Sequence, residues 1–152
     1  LAAREVSSTP VPVAPPEPAE PILVLSRETF GAAVLHALHH FARPEALRDS
    51  PLLRSRLVAD RAGAAASAAE RIAALRGVLQ EAVDALQPSP REAKLYRALY
   101  HTYVQPAPSQ EQAAELLDVP FSSFRRHLKA GIAQVTEMLW RREIGDEKVS
   151  KR

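Results

Sequence analysis

Phe121, Phe124, Leu128, Ile132, Val135 and Leu139 follow one another at intervals of three or four residues. Only a helix of about 3.6 residues per turn gathers such positions onto one face, and no proline interrupts the run. A helix of that length needs apolar neighbours along its stripe, and the rest of the chain offers them as further helices. Ser26 is placed to cap one with Phe30, Val34, Ala37, Leu38 and Phe41 inside, ended by Pro44. Ser50 and Pro51 open a shorter one bearing Leu53, Leu57 and Val58. The alanine-rich stretch from Ala64 to Ala74 leads into Ile72, Leu75, Leu79, Ala82 and Leu86. That spacing is nearly heptad but too short for a coiled coil, so ordinary bundle packing is expected. Strand-like alternation is absent. The fold class expected is all-α, a helical bundle ending in a helix-turn-helix with a long recognition helix.

Proline sets the first boundary, since six of the 13 prolines fall between Pro10 and Pro21. A residue without an amide hydrogen favours extended, solvated backbone, so residues 1–25 read as a semi-rigid linker. The chain opens on Leu1, which reads as a fragment or processed piece of a longer protein. Residues 26–87 form a helical block of unassigned role, 88–142 a helix-turn-helix domain, and 143–152 a polar tail.

Two serine-led boxes mark starts in the second block. Ser89, Pro90, Arg91 and Glu92 combine a capping box with proline at the first helical position, and Leu95, Leu99 and Tyr103 then face inward. Ser109 to Gln112 opens a two-turn helix with Ala113, Leu116 and Leu117 inside, and a corner at Asp118, Val119 and Pro120 leads into the long helix. In such a corner Ala114 is small where two helices approach, Leu117 and Val119 fill the gap, and Phe124 and Leu128 anchor the second helix. The other face of that helix then carries Ser122, Ser123, Arg125, Arg126 and Lys129, residue types that reach phosphates and guanine edges. Charge follows the same division. Residues 121–142 hold five Lys or Arg against one acid, whereas residues 1–90 hold nine Arg against ten acids. The expected partner is double-stranded DNA.

The segment from about residue 85 to residue 140, ALQPSPREAKLYRALYHTYVQPAPSQEQAAELLDVPFSSFRRHLKAGIAQVTEMLW, resembles region four of bacterial sigma factors and the related helix-turn-helix modules of response regulators. The resemblance implies a recognition helix starting at Phe121 in the major groove, with Ser122, Ser123, Arg125, Arg126 and Lys129 at the DNA-contacting positions. The proline-rich tether, the helical block and this terminal motif together resemble the C-terminal part of a larger bacterial regulatory protein acting in transcription, and RNA polymerase or another regulatory protein is the alternative partner. Asp118 stands where the family usually has glycine, and Pro120 where it usually has a serine or threonine cap. No region-two-like segment accompanies the match. One module buries little surface, so a homodimer or additional domains are expected, with residues 26–87 as the candidate dimer contact.

Other chemistries find little footing. Cysteine is absent, which removes disulfides, thiolate zinc sites and a cysteine nucleophile, and favours a cytoplasmic setting. His36 and His40 share a helix face as zinc ligands do, but no third ligand or general-base glutamate follows at the required spacing, so no metal is expected. No Gly-rich phosphate loop or nucleophile elbow occurs, and neither catalysis nor a cofactor is expected. The longest run of large aliphatics, Ile22 to Leu25, is far short of the roughly 20 residues a bilayer span needs. The competing reading is a protein-interaction or adaptor module of a larger switch protein, in which the same basic face meets an acidic protein or RNA polymerase and not DNA.

Overall fold

Serine hydroxyls set where most of the helices begin. The computed structural model describes residues 22–63 and 65–145; residues 1–21 of the linker expected at 1–25 and residues 146–152 of the tail expected at 143–152 lie outside the described residues. Ser26 Oγ accepts from the Thr29 amide (3.1 Å) to open α1, Arg27–His39. Short 3-10 turns at Pro44–Leu47 and Pro51–Arg54 follow, the second capped by Ser50. Ser55 caps α2, Arg56–Ala62, at the Val58 amide. Ser67 and Glu70 form a complete reciprocal capping box at the start of α3, Ala68–Asp84. Ser109 opens α5, Gln110–Leu116, through the Gln112 amide (3.1 Å).

The fourth helix departs from expectation. α4 spans Ala93–Leu99 and has no side-chain cap, because the Ser89 carbonyl takes the amides of Glu92 (3.0 Å) and Ala93 (2.8 Å). Neither donor is left for the Ser89 hydroxyl, so the expected capping box becomes a turn and the helix starts later. Beyond Leu99 the coil widens into a π-helical turn, Tyr100–Val104, closed by Gln105 donating to the Tyr100 carbonyl (2.8 Å). The last helix, α6, runs from Phe121 to Glu143.

The described residues are all-α and contain no strand. α6 is the spine: it packs against α1, α2, α3, α4 and α5. Phe124 and Val135 on it are fully buried and Leu139 nearly so, together with Phe30, Leu38, Leu75, Leu79, Leu86 and Leu99 from the other helices. Core residues from 26–87 and from 88–142 form one continuous cluster, so the two blocks share a single core. Phe30 of α1 meets Trp140 of α6 edge-on (5.2 Å between ring centroids), and Arg27 pairs with Glu137 (3.2 Å) beside that contact. Arg76 of α3 donates to the Phe41 carbonyl (2.9 Å) and lies over the Phe41 ring, fixing the end of α1. No described helix is long and apolar enough to cross a membrane.

Candidate nucleic-acid interface

A tight corner controls how α5 presents α6. The amide of Val119 donates to the Ala114 carbonyl (3.0 Å) and that of Asp118 to the Glu115 carbonyl (3.0 Å), the paired bonds of a Schellman stop. Asp118 sits at φ 59°, the left-handed region, and is the one non-glycine residue there among the described residues. An aspartate thus takes the backbone geometry that glycine adopts most easily. Pro120 then turns the chain into α6. It supplies no side-chain cap, but its carbonyl accepts the Phe124 amide (2.9 Å).

Ala113 and Ala114 are buried on the α6 side of the corner, and Leu117 and Val119 pack against the core beside them. Two apolar positions expected inside are not. Leu116 is 63% exposed, because the contact face of this short helix is set by Ala113, Ala114 and Leu117. Leu116 lies a quarter turn or more off that face. Phe121, the first residue of α6, is 38% exposed, and the Arg125 guanidinium stands 5.8 Å from its ring centroid.

All five expected contact residues fall on α6. Ser122, Arg125, Arg126 and Lys129 are exposed and Ser123 is half-buried, accepting from Arg126 (3.3 Å). A shallow groove runs between the start of α5 and this part of α6, lined by Gln110, Ser122, Arg125, Arg126, Lys129 and, at its floor, Leu128 and Ile132. Among the described residues no carboxylate pairs with Arg125, Arg126 or Lys129. Farther along α6, Arg141 is tied to Glu137 within the helix (3.2 Å), Arg27 of α1 reaches the same carboxylate, and Arg142 is exposed. Three of the four α6 cations without a carboxylate partner among the described residues, Arg125, Arg126 and Lys129, thus lie in the amino-terminal half of the helix, and Arg142 in its last turn.

Sequence reasoning missed the basic residues of α4. Lys94 and Arg97 are exposed and act on His127 of α6, whose imidazole is held below its ordinary proton affinity by partial burial and then by Lys94, Arg126 and Arg97. Only the packing of α4 on α6 reveals that neighbourhood.

The histidines of α1 lie elsewhere. The His36 and His40 rings lie 4.5 Å apart between centroids, inclined by 58°, and His39 faces the Tyr103 ring at 5.4 Å. No group of three or more potential metal-ligating side chains is gathered among the described residues.

No protein-family model, no curated protein and no solved structure matches the chain.

Proposed function

We propose that this chain is a DNA-binding helix-turn-helix module of a bacterial transcriptional regulator, working in the cytoplasm with α6 as the recognition helix. One observation carries the reading: the amino-terminal half of α6 is anchored from behind by buried Phe124 and Leu128 while Arg125, Arg126 and Lys129 stand outward without acidic partners. The resemblance to region four of bacterial sigma factors points the same way. A duplex would take this helix in its major groove, with phosphate contacts fixing register and one or two arginines reaching base edges. Ser122 and Ser123 would add hydroxyl contacts. Catalysis and cofactors have no part in this reading. A module of this size covers roughly 600–1,000 Å², so firm binding calls for a homodimer or further domains.

Salt-titrated binding to duplex DNA tests it. With three or four phosphates engaged, log K should fall against log salt with a slope of roughly −3 to −4. The double variant Arg125→Ala/Arg126→Ala should flatten that slope. Absence of binding at low salt would refute the reading.

A second reading, a protein-interaction or adaptor module that meets RNA polymerase or another regulatory protein, draws on the exposed Leu116 and Phe121. Apolar side chains at that corner suit a protein surface better than a phosphate backbone.

A further inference from the structure

α4 and α6 come unusually close at Gly131, where a Cβ would stand 3.0 Å from the Leu99 side chain and 3.3 Å from the Leu95 carbonyl oxygen. That approach brings the outward side chains of α4, Lys94 and Arg97, alongside the shoulder of α6 that bears His127. Lys94, Arg97 and Arg126 are exposed, His127 is half-buried, and no described carboxylate pairs with any of the cations. Arg126 belongs to both sides of the helix: it lines the groove next to α5 and also acts on His127 next to α4. The positive band therefore crosses the crest of α6 instead of stopping at the groove.

A helix seated in a major groove about 12 Å wide has a phosphate strand on each side. Cations on one shoulder can hold only one of them. Resting on the reading of α6 as a groove-binding helix, we propose that Lys94, Arg97 and His127 form a second phosphate-contact surface. It meets the strand opposite the one held by Arg125 and Lys129, so that the duplex is gripped on both walls. In the free protein partial burial first, and then Lys94 from α4, Arg126 from α6 and Arg97 from α4, disfavour a proton on His127. An arriving phosphate offsets their charge and accepts a hydrogen bond from the imidazolium, so binding takes up a proton from solvent at His127.

The test is duplex binding by the full chain, followed by fluorescence anisotropy across a salt series at pH 6 and pH 8. Lys94→Gln/Arg97→Gln is expected to lower the salt slope by about two and to weaken binding alike for every duplex sequence, leaving site preference unchanged. Both side chains are exposed, and a circular dichroism melt checks that the fold persists. The parent should bind several-fold more tightly at pH 6 than at pH 8, and His127→Gln should remove most of that difference. Calorimetry in two buffers of different ionisation heat reads the proton uptake directly in the parent. A glutamine pair that keeps the parent's slope, or binding without proton uptake, overturns the second surface while the reading of α6 stands. Failure of the parent to bind at low salt overturns both.

Discussion

Glu143, in the last turn of α6, caps Arg56 at the start of α2. Its two carboxylate oxygens accept the backbone amides of Arg56 and Leu57, each at 3.0 Å, while Ser55 takes the amide of Val58. The first three donors of α2 are thereby satisfied, two of them by a residue more than 85 positions away in sequence. Because the contact is partly solvent-exposed, Glu143→Ala should lower stability by about 1–2 kcal/mol. Urea unfolding of the variant measures this, and Glu143→Gln should recover part of the loss by keeping an acceptor.

The crossing of α4 and α6 depends on the missing side chain at Gly131. Leu99 is fully buried and the Leu95 carbonyl is backbone, so neither can withdraw from an added group. Gly131→Val should cost about 2–3 kcal/mol through overpacking, more than any gain in helix propensity returns. A thermal melt would read the loss, and an unchanged melting temperature would contradict the tight crossing.

At the corner, the left-handed backbone of Asp118 ranks its replacements. Asp118→Gly should stabilise by up to about 1 kcal/mol and Asp118→Ala should destabilise by a similar or smaller amount, since only glycine adopts this geometry without steric cost. The order Gly, Asp, Ala in denaturant midpoint is the measurement.

Exposure separates two apolar residues that the pattern alone treats alike. Phe124→Ala, at a fully buried site, should cost about 3–5 kcal/mol. Leu116→Ala, at an exposed one, should stay within about 0.5 kcal/mol. Chemical denaturation of the pair checks the reversal of Leu116 from its expected inward orientation.

Acid should weaken the fold. His40 is held below the ordinary histidine value near 6.5 by burial and then by His36, Arg43 and His39, and its Nδ1 is a buried atom without a hydrogen-bond partner. His127 is lowered as well. For both groups the unfolded chain binds protons more readily than the folded one, so their contribution is complete above about pH 6.5 and is lost as pH falls through the lower folded values. Stability measured from pH 8 to pH 5 should decline on the acid side, and His40→Gln should lessen the slope.

The apolar spacing of α1, α3 and α6 made those helices legible, because long stripes fix both type and face. Ser26 and Ser109 marked the starts of α1 and α5, whereas Ser50 caps only a 3-10 turn and the helix that carries Leu57 and Val58 begins anew at Ser55. Ser67 and Glu70 carried an equally clear box that the surrounding alanines obscured. Short elements were harder: with seven residues, α5 can bury either side, and only contact with α6 decides for Ala113 and Ala114 over Leu116. In α4, whether the Ser89 carbonyl or hydroxyl takes the first amides depends on backbone angles that composition does not encode. Arg125, Arg126 and Lys129 were visible because they lie on one stripe. Lys94 and Arg97 were not, because their relation to His127 exists only across two helices.

A spine of 23 residues, about 35 Å long, bears the outward cations on one stretch and is gripped by five neighbours along its length. It has no hinge at which those cations could swivel apart from the bundle. Any change in their angle toward a target must come from turning the whole body, so control over when the face is offered falls to whatever holds the body in place.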